Sequence, residues 1–159
     1  RLAEFAAPNT ERTHQVAELF KSADIRCDVA EHLMQARWEK LVWNIPFNGL
    51  GVAARSNVEE VLGSPDLRSL ARELMLEAVQ AAAATGSRID DAMPEKMLKN
   101  SESMGPYQSS MQVDYEQGRP LEVESILGEP ARRAMAAGCA APRMQMLYAL
   151  VKQLDLKNR

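Results

Sequence analysis

A lysine and two asparagines, Lys40, Asn44 and Asn48, recur every four residues inside the otherwise apolar stretch KLVWNIPFNG. On a straight helix, residues four apart drift by about 40° and rise about 6 Å, so the three share one narrow stripe. Trp43 and Phe47 flank it. A solvated helix face is the plain account of such a stripe. Against it, asparagine is a poor helix former and gives a wet surface nothing that Glu or Gln would not give better. Pro46 also frees the carbonyl of Val42 and is expected to kink the helix. An ammonium and two neutral amides facing a small ligand explain both features. The ammonium can stabilise charge building on an oxygen and donate a proton to it, while the amides fix polar groups without adding charge.

A second constellation lies in SSMQVDYEQGRPLEVESILG. Ser110 and Asp114 are four apart on one helix face, Gly118 breaks that helix, and Pro120 is read as the first position of the next, with Glu122 at its third. An acid there complements the helix N-terminus, so capping competes with any chemical role for Glu122. Met111, like most of the methionines, reads as core filler. The stretch GLGVAA, Gly49 to Ala54, matches the G-x-G-x-x-A dinucleotide fingerprint. That pattern has meaning only between a strand and a helix, and the polar spacing and proline before it argue for helix.

The elements that must carry these residues are mostly helical. RLAEFAA and DIRCDVA alternate weakly and read as two short strands around a helix in NTERTHQVAELFKSAD, with Thr10 as N-cap. Such a crossover unit is normally parallel, and two strands cannot make a sheet alone, which points to a missing neighbour. From Asp28 onward the pattern is helical: a long segment to Ala54, a short helix in SNVEEVL, and a longer one opened by Ser64 and Pro65 and stopped by Gly86. Short helices follow in MPEKMLKN and MGPYQSSMQVDYEQG, then one from Pro120 to Gly138 that Gly128 and Pro130 should bend. A closing helix carries Met144, Leu147, Tyr148 and Val151 on one stripe.

At 159 residues, 46% hydrophobic and with net charge −3, the chain has the make-up of a single folded domain and no basic excess to suggest nucleic acid. Cys27 and Cys139 are two and far apart, and His14 and His32 form no ligand pattern. Neither a disulfide framework nor a metal module is expected, and a reducing cytoplasm is the simplest compartment. No run approaches the ~20 apolar residues of a membrane helix. The chain opens on Arg1 in mid-phrase, as a fragment of a longer protein would.

The pair WEKLVWNIPFN and SSMQVDYEQGRPLEVESILG, in that order and some sixty residues apart, resembles the C-terminal domain of the ketopantoate reductase (2-dehydropantoate 2-reductase) family. EFAAPNTERTHQVAELFKSADI is similar to that family's linker, and AAGCAAPRMQMLYALVKQL to its closing helices. The resemblance implies a mainly all-α domain like the helical domain of 6-phosphogluconate dehydrogenase. Residues 1–29 would end a Rossmann nucleotide domain and its linker, and 30–159 would bind substrate and dimerise. It further implies an NADPH-dependent oxidoreductase that reduces a 2-keto acid by hydride transfer, most simply 2-dehydropantoate to pantoate in pantothenate biosynthesis. NADPH would be held mainly by the N-terminal domain, so this chain alone is expected to be inactive.

Carried over by matching position, Lys40 is the general acid, Asn44 and Asn48 position substrate, Ser110 binds it, Glu122 supports the substrate hydroxyl, and Asp114 belongs to the motif with a less defined role. A carboxylate repels an acidic substrate unless it faces a hydroxyl, which puts Glu122 at the substrate's far end. The implied partners are the keto acid, the N-terminal domain and a second copy of the chain. Leu121, Glu124 and Leu127 stand where the family commonly has Thr, Asp and Asn, and Tyr107 where some members have a substrate-contacting Asn. These departures leave open another 2-keto acid as substrate. A helical dimerisation module without catalysis is the alternative class.

Overall fold

The computed structural model describes residues 1–5 and 7–158. Helix α1 (Glu11–Ser22) follows the N-terminal segment, and the long α2 (Leu33–Ala53) runs through Pro46 to the middle of the domain. After it come α3 (Val58–Gly63), α4 (Pro65–Ala84), α5 (Met93–Ser101), a short 3₁₀ turn, α6 (Ser110–Glu116), a π-turn (Glu124–Gly128), α7 (Glu129–Ala136) and α8 (Pro142–Asn158). The domain is all-α, as the helical periodicity and the resemblance imply.

The core forms where α2 meets α4, with α8 and α6 closing over α2. Trp38, Val42, Ile45, Phe47, Leu74, Met75, Met111, Met144 and Val151 are all buried there. Local chemistry sets the helix ends. Ser64 Oγ accepts the Leu67 N–H with Pro65 at the first helical position, and α4 stops before Gly86, whose φ of +86° suits a residue without Cβ. Asn57 and Glu60 bond reciprocally across the start of α3.

Among the described residues, the two expected strands reduce to one parallel bridge between Leu2 and Val29. Leu2 N–H donates to the Asp28 carbonyl (2.9 Å) and Ala30 N–H to the Leu2 carbonyl (2.8 Å). Their pairing and sense match the crossover reading, but each has one partner only, too little to propagate a ladder. Ala6, inside the first expected strand, lies outside the described residues.

Two helix boundaries also depart from the pattern. The stretch around Gly105 and Tyr107 is loop, with Gly105 at φ +63°, and α6 starts only at Ser110. Pro120 does not open a helix, and Glu122 is not its third residue. Leu121 is buried and gives its N–H to Asp155 of α8, which keeps this stretch out of the helix, and helical bonding begins with Ile126 N–H to the Glu122 carbonyl (3.0 Å). The disturbance expected from Gly128 and Pro130 takes the form of the π-turn, where Glu129 N–H bonds the Glu124 carbonyl five residues back. Pro130 has no N–H for the carbonyl four before it and its ring crowds that position, so a widened turn absorbs the misfit.

Candidate functional site

Asn48 is 1% exposed, and its Oδ1 accepts the Met111 N–H at 3.1 Å and the Ser110 hydroxyl at 3.5 Å. A side chain of α2 thus satisfies a backbone donor in the first turn of α6, a group that the helix cannot satisfy itself. Ser109, also buried, caps α6 by accepting the Gln112 N–H. Gly51 makes the approach close: a Cβ there would lie 3.2 Å from Ser109 Oγ and 3.4 Å from Gln112 Oε1. At Gly49 a Cβ would strike Leu147 of α8 at 2.4 Å. The glycines of GLGVAA therefore serve helix packing inside α2 rather than a phosphate loop.

The loop before α6 lies along the same part of α2. Trp43 packs on Phe47 (4.8 Å between ring centroids), meets Tyr107 edge-on (6.3 Å), and donates its indole N–H to Ser101 Oγ (2.9 Å). This aromatic group flanks the stripe on one side. One turn and two turns before Asn48, Asn44 is half-buried and Lys40 exposed. Neither side chain has a hydrogen bond or ion pair among the described residues.

Glu122 reaches the neighbourhood from another direction. The π-turn packs against α2, and Leu41, next to Lys40, lines one small cavity with Ser125, three residues past Glu122. Glu122 is exposed and lines a surface cavity of about 330 Å³ with Lys152 and Asp155 of α8. Asp114 is engaged elsewhere: its Oδ1 accepts from Arg119 Nε at 2.7 Å across the turn at Gly118, a local role that needs no ligand. Of the residues singled out, Asn48 and Ser110 meet directly, and the segments of Lys40 and Glu122 share a border.

Several polar groups escaped the reading of the sequence. Glu77, buried in α4, accepts the N–H groups of Arg143 (3.2 Å) and Met144 (3.0 Å) and so caps α8, with the Arg143 guanidinium on the same carboxylate. That pairing, first with Glu77, raises the Arg143 pKa further. Asp155 Oδ1 takes the Leu121 N–H at 3.0 Å. Glu124 is held by Lys152, Tyr148 and Arg132, which bring its pKa down to about 2, Lys152 contributing most. The available signal was position: Asp155 continues the buried stripe of Met144, Leu147 and Val151, and Glu77 sits among Leu74, Ala78 and Ala81. An acid on an apolar stripe needs a partner. Gln112 Oε1 is buried without a protein partner. No cluster of three His, Cys, Asp or Glu suited to a metal occurs among the described residues, and no helix there is long and apolar enough to cross a membrane.

Comparison with known proteins bears directly on this site. Residues 32–155 match the family model described as ketopantoate reductase PanE/ApbA C terminal. The 2-dehydropantoate 2-reductase of a Nostoc species is 39% identical over 150 residues, which are 94% of this chain and 47% of that protein. Crystal structures of 2-dehydropantoate 2-reductases from Geobacter metallireducens (40% identical, TM-score 0.91) and Methylococcus capsulatus (33%, 0.93) superpose on 94% and 98% of the chain. In each case it covers 50% of the other protein. The fold alone is shared with a D-mandelate dehydrogenase solved with NADH, at 18% identity and a TM-score of 0.87 over 99% of this chain and 54% of that one. The chain spans about half the length of the relatives it matches.

Proposed function

This chain belongs to the ketopantoate reductase C-terminal family, and on that footing we propose that it is the substrate-binding half of an NADPH-dependent 2-keto-acid reductase converting 2-dehydropantoate to pantoate. The observation that carries the reading is the division of labour along α2. Asn48 is consumed in fixing α6 and Ser110, while Lys40 and Asn44 on the same stripe keep their hydrogen-bonding capacity for a ligand.

When bound, NADPH supplies the hydride that adds to the keto carbon. The described residues do not fit its phosphates, since the one glycine fingerprint is buried in α2, so its binding is assigned to an N-terminal half. This chain's part is at the oxygen. As negative charge builds there, the Lys40 ammonium stabilises it and transfers one proton from Nζ, leaving a hydroxyl and a neutral amine that regains its proton from solvent. Asn44 and Ser110 orient the substrate's polar groups, Asn48 holds Ser110 in place, and Glu122 accepts from a substrate hydroxyl. The partners in this reading are the keto acid, the N-terminal nucleotide-binding half and a second copy of the chain.

A second keto acid is kept in view by Tyr107, which stands half-exposed against Trp43 at the rim of the stripe. The test is NADPH oxidation by the intact protein across a panel of 2-keto acids, beside a calorimetric titration of this chain alone with NADPH. Turnover fastest with 2-dehydropantoate, and no low-micromolar binding by the isolated chain, are the expected results. Preference for another 2-keto acid moves the substrate to the second reading, and no turnover with any of them favours a non-catalytic helical module.

A further inference from the structure

Glu122 is gripped from both sides by one helix. Upstream, the N–H of Leu121 donates to Asp155 Oδ1 at 3.0 Å, and Asp155 is 5% exposed. Downstream, Glu124 Oε1 accepts from Tyr148 Oη (2.8 Å) and Lys152 Nζ (2.9 Å), and Lys152 also donates to Tyr148 Oη (2.8 Å). Tyr148, Lys152 and Asp155 are spaced by four and three, so they form one face of α8. Arg132 of α7 completes the set on the other oxygen, Glu124 Oε2, at 2.8 Å.

The π-turn makes room for this grip. A Cβ at Gly128 would fall 2.7 Å from Glu124 Oε2 and 2.8 Å from Tyr148 Cε2, so only glycine lets the carboxylate and the ring close over the turn. Between its two held neighbours, the Glu122 side chain is exposed and makes no hydrogen bond among the described residues. Exposed ion pairs of the Glu124 kind contribute little to stability. Three donors on one exposed carboxylate, combined with a buried acid on the backbone two residues before Val123, fit a different purpose: fixing the path of the chain at a point whose own side chain is left open.

We propose that α8 positions Glu122 for contact with substrate, through Asp155 on the preceding amide and Tyr148 and Lys152 on Glu124, which makes these three positioning residues of the keto-acid site. The inference rests on the reading of Glu122 as a substrate-binding group. It has a distinct signature, because a residue that acts through Glu122 loses its effect once Glu122 is gone.

The experiment is a double-mutant cycle in the intact reductase. Asp155→Ala is expected to lower kcat/KM for the keto acid by about tenfold, since small misplacement of a binding group costs on that order or more, with KM for NADPH unchanged. Asp155→Asn, which keeps an oxygen acceptor for Leu121, should recover most of the loss. In a Glu122→Ala background, Asp155→Ala should change kcat/KM by less than about twofold. Equal losses in the two backgrounds, or a shift in KM for NADPH instead, would show a structural role and overturn the proposal. If Glu122→Ala itself leaves kcat/KM at the wild-type value, the reading of Glu122 is what fails and the proposal falls with it. Should Asp155→Ala not fold, Tyr148→Phe on the half-buried side of the grip runs the same cycle, with an expected loss of about threefold. Hydrogen exchange gives a readout apart from activity: the amides of 121–126 should exchange faster in Tyr148→Phe while those of α4 do not, and unchanged rates at 121–126 count against the grip.

Discussion

The two ends of the polar stripe on α2 differ in how they are used. At one end Asn48 is buried, and its carbonyl oxygen serves a backbone amide of α6. At the other, Lys40 is exposed and has no partner among the described residues. Spacing is uniform along the stripe and every residue on it is polar, yet one end is architecture and the other is available for chemistry. Burial decides between them, because a buried polar group must be satisfied within the fold, whereas an exposed one can wait for a ligand.

The sharpest test of this contrast is Lys40→Ala in the intact protein, assayed for the proposed keto-acid reduction. Its chemical rate should fall by about 10² to 10⁴, the usual span for losing a positioned acid, while its urea midpoint stays put. A rate change below about tenfold removes Lys40 from the general-acid role. Next in size is Glu77→Ala, which strips the cap from α8 and leaves the Met144 N–H buried without its acceptor. A stability loss of about 2 to 3 kcal/mol is expected by urea unfolding of this chain; a loss under about 0.5 kcal/mol would mean that water replaces the cap. Asn48→Ala should cost about 1 to 2 kcal/mol by the same measure, since one buried N–H loses its partner. Were Asn48→Ala as stable as wild type, the two ends of the stripe would not differ as described.

The smallest effect concerns pH. Glu124 has its pKa lowered from 4.5 to about 2, with Lys152 the largest cause, then Tyr148 and Arg132. A carboxyl depressed on folding adds stability that is complete above its unfolded pKa and is lost as pH falls from about 4.5 towards about 2. The gap in urea midpoint between wild type and Glu124→Gln should therefore narrow over that window. A gap that is constant across it would show that the charge on Glu124 contributes nothing.

How much of this was legible depended on whether a feature is local. The helices from α2 to α8 follow from periodicity, from Ser64 and Pro65 opening α4, and from Gly86 closing it. The stripe of Lys40, Asn44 and Asn48 was visible for the same reason. What failed was set from a distance. Pro120 looked like a helix start because nothing nearby shows that Asp155, far along the chain, takes the Leu121 amide. The N-terminal strands were read at full length because alternation does not reveal how far along its length a strand will pair. Asp114 matches the motif, and its pairing with Arg119 lies within its own turn.

The π-turn has one more consequence, which concerns phase. Each residue of an α-helix advances the chain by about 100°, and the wide turn at Glu124–Gly128 holds one residue more than an α-turn would. Residues before and after it are therefore out of step by that angle. Deleting a single residue between Ser125 and Leu127 would take out that extra residue and swing the Glu122 segment about a quarter turn around α7, away from the face of α8 that now holds it. A chain one residue shorter, with nearly the same helix content, would then present its carboxylate to a different side of the domain.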